Sequence, residues 1–182
     1  MNNSFFKDKP AHYLEINRFE DFRGSSEKFF QGASSIPVSQ ALISCTPKKK
    51  TLRGLHTQRG EHAEEKIIHC ISGELIWFAI DYSNYSTTGA VASDELSLMS
   101  GQAIYVPKHH LNGMLSLSDD VTILILASRP YDQKAGMNVS PFDGLFFGES
   151  LSAFGVDIER FDQKSDVISQ QKFLETLVSP VI

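Results

Sequence analysis

An all-β jelly roll closed by one short C-terminal helix is the fold this sequence predicts. Three observations carry it. Runs of five to eight residues rich in β-branched and aromatic side chains recur along most of the chain, as half-buried strands do. Turn-forming residues separate them. Apolar residues at helical spacing occur only near the C-terminus.

Tyr13 to Phe19 reads as the first strand, with Asp21-Phe22-Arg23-Gly24 as the turn after it. Further strands are expected at Val38 to Cys45, Thr51 to Gln58, Lys66 to Ile71, Glu74 to Asp81, Val91 to Leu98, Gln102 to Val106, Leu111 to Leu117 and Val121 to Ala127. Ser72-Gly73 and Ser118-Asp119-Asp120 are expected to be hairpin turns between consecutive runs. From Ser169 onward, Phe173, Leu174 and Leu177 fall at three- and four-residue spacing. That predicts a helix with Ser169 as N-cap and Pro180 as its stop.

At 182 residues, a chain can bury one substantial core but is short for two. A single domain over 1–182 is expected, with its core at about 13–150 and a C-terminal extension at 151–182. Lys and Arg total 17 against 22 Asp and Glu, a net charge of -5. Such a balance gives no field that would draw the whole molecule to nucleic acid or to an anionic membrane. The basic run Lys48-Lys49-Lys50 is read as a solvated turn after Pro47. No apolar run is long enough to span a bilayer, and the N-terminus lacks a secretory pattern. A soluble, cytoplasmic protein is expected, with Cys45 and Cys70 reduced.

The most informative stretch is Leu52-Arg53-Gly54-Leu55-His56-Thr57-Gln58, followed ten residues after the histidine by Lys66. An arginine holds an anionic group, a histidine removes a proton, and a lysine stabilises the charge left behind. Taken singly, each also has an ordinary structural explanation; together they form the equipment of an enolising enzyme.

A jelly roll of this size invites comparison with the metal-binding cupin pattern. There, a glutamate stands seven residues before a glycine; here the position seven before Gly73 is Lys66. In the second half of the pattern Gly101 and Pro107 fit, but the histidine position is Asn112. A lysine ammonium has no lone pair for a metal, so no metal is expected and an ordinary metal-dependent dioxygenase is disfavoured.

These motifs, in order, resemble those of the dTDP-4-dehydrorhamnose 3,5-epimerase family, the metal-free cupins that epimerise nucleotide-linked 4-keto-6-deoxy sugars. The resemblance covers roughly residues 13 to 170. It is carried by the Asp-x-Arg-Gly of Asp21 to Gly24, the Leu52 to Gln58 block, Lys66, Ser72 to Glu74, Ala79-Ile80-Asp81, Ser86 with Gly89, and Tyr105-Val106-Pro107.

The resemblance implies a homodimeric jelly-roll cupin that uses no cofactor and binds a nucleoside-diphosphate sugar. It implies His56 as the base, Lys66 as the oxyanion partner, and Arg53 and Arg23 on the diphosphate, with Arg23 reaching a neighbouring subunit's site. Asp166 in Lys164-Ser165-Asp166 stands one register from the aspartate expected to orient the histidine. Gln58, Gln40, Glu27 and Asn112 are candidates for substrate binding. Gln40 is one place off its family position, and Glu27 adjoins Lys28, which occupies the place of a family acid.

Three further departures bear on chemistry. The family's proton-donating tyrosine falls on Ile125, its second histidine on Asn112, and one of its aspartates on Trp77. If Asn112 points into the barrel, alternation sends His110 the same way, making His110 a candidate donor; the other reading is an exposed His109-His110 pair. The expected activity is epimerisation beside a C4 ketone, at one centre rather than two. The alternative is a catalytically reduced member that binds a nucleotide sugar or assists a partner in glycan biosynthesis.

Overall fold

The computed structural model describes residues 10–28, 36–146, 151 and 166–178. The strands are β1 (His12–Tyr13), β2 (Asn17–Asp21), β3 (Gly24–Lys28), β4 (Gln40–Thr46), β5 (Leu52–Gln58), β6 (Lys66–Ser72), β7 (Glu74–Asp81), β8 (Ala92–Met99), β9 (Ala103–Val106), β10 (His110–Ser116), β11 (Val121–Ala127), β12 (Gly136–Val139) and β13 (Val167–Ile168). Two helices, α1 (Tyr85–Thr88) and α2 (Gln170–Val178), complete the elements the site depends on. One sheet runs β1-β9-β6-β11-β4 and the other β13-β12-β5-β10-β7-β8, while β2 and β3 form a separate ribbon. This is the expected jelly-roll cupin.

From β4 to β12 the chain repeatedly changes sheet, and only β7 and β8 are both consecutive and paired. Here the structure corrects the sequence reading. Ser72-Gly73 and Ser118 to Asp120 are not hairpin turns but corners where the chain crosses between sheets. β6 pairs with β9 and β11, whereas β7 pairs with β8 and β10. The two corners touch: a Cβ at Gly73 would lie 2.8 Å from Ser118 Oγ and 3.1 Å from Val121 Cα. Only glycine fits that approach at φ 85° without strain.

The expected strand at Tyr13 to Phe19 splits into β1 and β2, and its following turn is the tip of the β2–β3 ribbon, in which Asp21 faces Gly24. The ribbon has no apolar alternation and is exposed along nearly its whole length, which is why β3 is invisible to a hydrophobic-period argument. The four-residue β12 is missed for the related reason that it is too short to show a period.

Two cores flank the larger sheet. Ile68, Leu75, Trp77, Ile104, Met114 and Ile123 fill the space between the sheets. Leu52, Leu55, Phe78, Ile80, Leu111 and Phe173 pack on the other face, where α2 covers it. A strand buried on both faces has no alternation, so Leu75 to Ile80 reads as one unbroken apolar run and is buried throughout.

The helix begins as expected. Ser169 Oγ accepts the Lys172 N–H at 3.0 Å, and Phe173, wholly buried, is its anchor; Pro180 lies outside the described residues. Ser169→Ala is expected to lower stability by about 1 kcal/mol, read as a drop in thermal unfolding temperature. An unchanged midpoint would remove the cap from the account. Among the described residues no helix is long and apolar enough to cross a membrane, and Cys45 and Cys70 are both free thiols.

Candidate active site

Arg53 and His56 are three residues apart, so in a regular strand they would point to opposite faces. The structure puts them on the same one. Along β10, Asn112 pairs with His56 and the next residue, Gly113, pairs with Gly54. Leu55 is therefore an extra residue on β5, a bulge that resets the alternation. Leu52 and Leu55 stay in the outer core, while Arg53 and His56 both turn to a cavity of about 270 Å³ between the sheets.

Glycines on both strands make room for the bulge. A Cβ at Gly54 would lie 2.5 Å from the Asn112 carbonyl oxygen, and one at Gly113 would lie 2.8 Å from Leu55 Cδ2.

Arg53 reaches across to β4, where its Nη1 donates to Ser44 Oγ at 2.6 Å and to Thr46 Oγ1 at 3.3 Å. The guanidinium is exposed enough to receive an anion while these bonds hold its direction. His56 is half-buried in the same lining. On its other side it pairs through the backbone with Asn138 of β12, another lining residue. Asn138 Nδ2 donates to Asp166 Oδ2 at 2.9 Å. Asp166 thus stands one side chain away from the strand position opposite His56.

Lys66 lies on the inner face by alternation with the core residue Ile68. Its side chain is only 6% exposed, and its Nζ pairs with Glu64 Oε1 at 2.9 Å. It is not part of the cavity lining. Burying this charge without its carboxylate would be costly, so Glu64 is a structural requirement of a lysine at this place.

Asn112 and His110 point the same way, as alternation requires. Asn112 Oδ1 accepts from Trp77 Nε1 at 3.2 Å, and Asn112 Nδ2 donates to the His110 carbonyl at 2.9 Å. His110 is buried and His109 exposed, which overturns the reading of the two as an exposed pair. His110 Nδ1 lies 3.0 Å from the Lys108 carbonyl, and its buried Nε2 has no hydrogen-bond partner among the described residues. Ile125 faces the cavity, so the place where the family pattern has a phenol carries a branched hydrocarbon.

Other candidates lie elsewhere. Gln58 is buried, with Nε2 donating to the His62 and Pro130 carbonyls and Oε1 accepting the Asp132 N–H at 2.5 Å. Its amide pins a loop and is not in the lining. Gln40 Oε1 accepts the Tyr131 N–H at 2.7 Å. Glu27 accepts from Arg18 and approaches His69 Nε2 at 3.7 Å on the outer face of the smaller sheet; burial pushes the His69 imidazole below its ordinary value, with Glu27 acting in the opposite direction. Arg23, at the ribbon tip, is paired with Asp21 at 2.5 Å.

Ser44 and Asn138 are lining residues that sequence reasoning missed, because serine and asparagine in strands carry no pattern of their own. Among the described residues, no three His, Cys, Asp or Glu side chains gather as a metal ion would require.

Fold and site together define a cupin in which Lys66 and Asn112 stand where the metal-binding pattern has a glutamate and a histidine, beside a cavity lined by Arg53 and His56. Comparison with known proteins narrows the class. The family model described as dTDP-4-dehydrorhamnose 3,5-epimerase matches residues 9–172.

The dTDP-4-dehydrorhamnose 3,5-epimerase of Salmonella typhimurium is 35% identical over 130 residues, covering 69% of this chain and 66% of the relative. That of Escherichia coli is 39% identical over 113 residues, covering 58% and 61%. The matches thus span somewhat under two thirds of these relatives' length. The crystal structure of a dTDP-4-dehydrorhamnose 3,5-epimerase from Bacillus anthracis, with TDP and PPi bound, superposes with a TM-score of 0.67 at 19% identity over 94% of both chains, a likeness of fold. The chain belongs to the dTDP-4-dehydrorhamnose 3,5-epimerase family.

Proposed function

We propose that this protein epimerises a nucleoside-diphosphate 4-keto-6-deoxy sugar, inverting one carbon beside the ketone. The observation that carries the proposal is the bulge at Leu55, which brings Arg53 and His56 to one cavity. Family membership supports it.

In this reading Arg53 holds the diphosphate, its fork fitting phosphate oxygens. His56 removes the proton next to the carbonyl, and the electrons of that C–H bond move onto the C4 oxygen to give an enolate. Lys66 is assigned to that oxyanion on family membership; its Nζ, paired with Glu64 outside the cavity lining, must leave that carboxylate to reach the C4 oxygen. Asp166, acting through Asn138, orients the strand position opposite His56. No metal or organic cofactor takes part. The protein acts as a homodimer, in which the β2–β3 ribbon carries Arg23 to the partner's cavity; its uniformly exposed β2 and the 98% exposed Phe22 at its tip support that reading.

Deuterium incorporation from heavy water into nucleoside-diphosphate 4-keto-6-deoxy sugars tests the proposal. Exchange at one ring carbon is expected. Binding without exchange at any carbon would instead support a catalytically reduced protein that holds a nucleotide sugar for a partner, a reading favoured by Ile125.

Inversion requires a proton delivered to the opposite face, which enolisation alone does not. Ile125→Tyr is therefore expected to raise the ratio of inversion to exchange. The buried hydroxyl, if left unpaired, costs about 1 to 3 kcal/mol, so the unfolding midpoint is measured alongside. A folded variant with an unchanged ratio would show that another group already supplies the proton, with His110 the first to test.

A further inference from the structure

Trp77 and Asn112 are separate departures along the chain but one unit in space. The indole N–H is given to Asn112 Oδ1, and the Asn112 amide N–H₂ to the His110 carbonyl. Tryptophan has no other polar atom. The ring, 2% exposed, therefore offers the cavity carbon alone. On the smaller sheet, Leu42 and Ile125 are cross-strand partners, and Ile123 pairs with Ser44. All four line the cavity, and the Ser44 hydroxyl already accepts Arg53. The polar side chains of the lining are Arg53, Ser44, His56 and Asn138. What remains among the described residues is a wall of indole, branched aliphatic carbon and the Met114 thioether.

A sugar hydroxyl laid on that wall loses its water and meets no partner, whereas a C–H face loses nothing. On a 4-keto-6-deoxyhexose the free hydroxyls are those on C2 and C3. With C3 taken as the inverted carbon, its substituent must remain, so the hydroxyl whose absence suits this wall is the one on C2, which the proposal places against it.

We propose that this cavity selects a nucleoside-diphosphate 4-keto-2,6-dideoxy sugar over its 2-hydroxylated counterpart, with Trp77 as the specificity-determining residue and Leu42 and Ile125 as the facing wall. The proposal rests on the epimerase reading for its substrate class, though its first readout is binding. An apolar site disfavours an added hydroxyl by a factor of about 10 to 100.

The experiment compares the two sugars on one nucleoside diphosphate, measuring Kd by calorimetry and the exchange rate in heavy water. The dideoxy sugar is expected to bind about 10- to 100-fold tighter. Because Trp77→Asp removes a buried ring and can unfold the barrel, Leu42→Thr is the deciding variant. Leu42 is on the edge strand β4 and partly exposed, so threonine brings a hydroxyl to the wall with little risk to the fold. It is expected to shrink the preference about tenfold.

Equal affinity for the two sugars overturns the proposal and leaves the epimerase reading standing. A preference for the dideoxy sugar without exchange upholds the selectivity and removes the catalysis. Failure to bind either sugar overturns both.

Discussion

Replacement of His56 by asparagine is expected to abolish proton exchange while leaving binding of a nucleoside-diphosphate sugar intact. Asparagine keeps much of the imidazole's shape and hydrogen-bonding capacity but cannot take a proton at neutral pH. Removal of a positioned general base costs about 10²- to 10⁴-fold in rate. Arg53 is held by Ser44 and Thr46, not by His56, so the anion contact is independent of the substitution. The measurement pairs deuterium incorporation with calorimetric binding of the same sugar nucleotide. A variant that exchanges as fast as the parent removes His56 from the mechanism. One that loses exchange and binding together assigns it to ligand contact instead.

Gly54→Ala is expected to be the most damaging single substitution for the architecture of the site. The added Cβ would stand 2.5 Å from the Asn112 carbonyl oxygen and 2.8 Å from Gly113 Cα, and both obstacles are backbone. The glycine also adopts φ +97°, a conformation side chains resist. Strain of this kind together with overpacking costs about 3 kcal/mol or more. Relief requires β5 to part from β10, which would remove the bulge and turn either Arg53 or His56 away from the cavity. Chemical denaturation should show the loss of stability, and any protein that still folds should have lost exchange. Wild-type stability in the alanine variant would mean that the bulge is not as tight as these distances indicate. Gly24→Ala is the control: a Cβ there meets nothing within 4 Å, so its cost is limited to its φ of +133°.

Much of this was legible along the chain. The strands at 74–81 and 121–127 and the helix capped by Ser169 announce themselves through local chemistry: β-branched and apolar runs, turn residues, a hydroxyl before helical spacing. The Arg53, His56 and Lys66 spacing announces itself as a motif. Even His110 and Asn112 sharing a face follows from period two alone.

Only the tertiary structure decided which candidates meet. Period two would have sent Arg53 and His56 apart, and the bulge that joins them depends on Gly113, a residue of a different strand that leaves space for Leu55. Gln58 sits inside the motif, yet its amide is taken by Pro130, His62 and Asp132, partners that come near it only after folding. Ser72-Gly73 has the composition of a hairpin turn, but whether a turn closes a hairpin or crosses between sheets is set by which strands pair afterwards. Trp77 and Asn112 likewise become one unit through the β7–β10 ladder. Residue type and spacing determine strands, caps and the chemical repertoire because those depend on neighbours in the chain; facing, pairing and saturation depend on neighbours in space, and for this protein they shape the cavity.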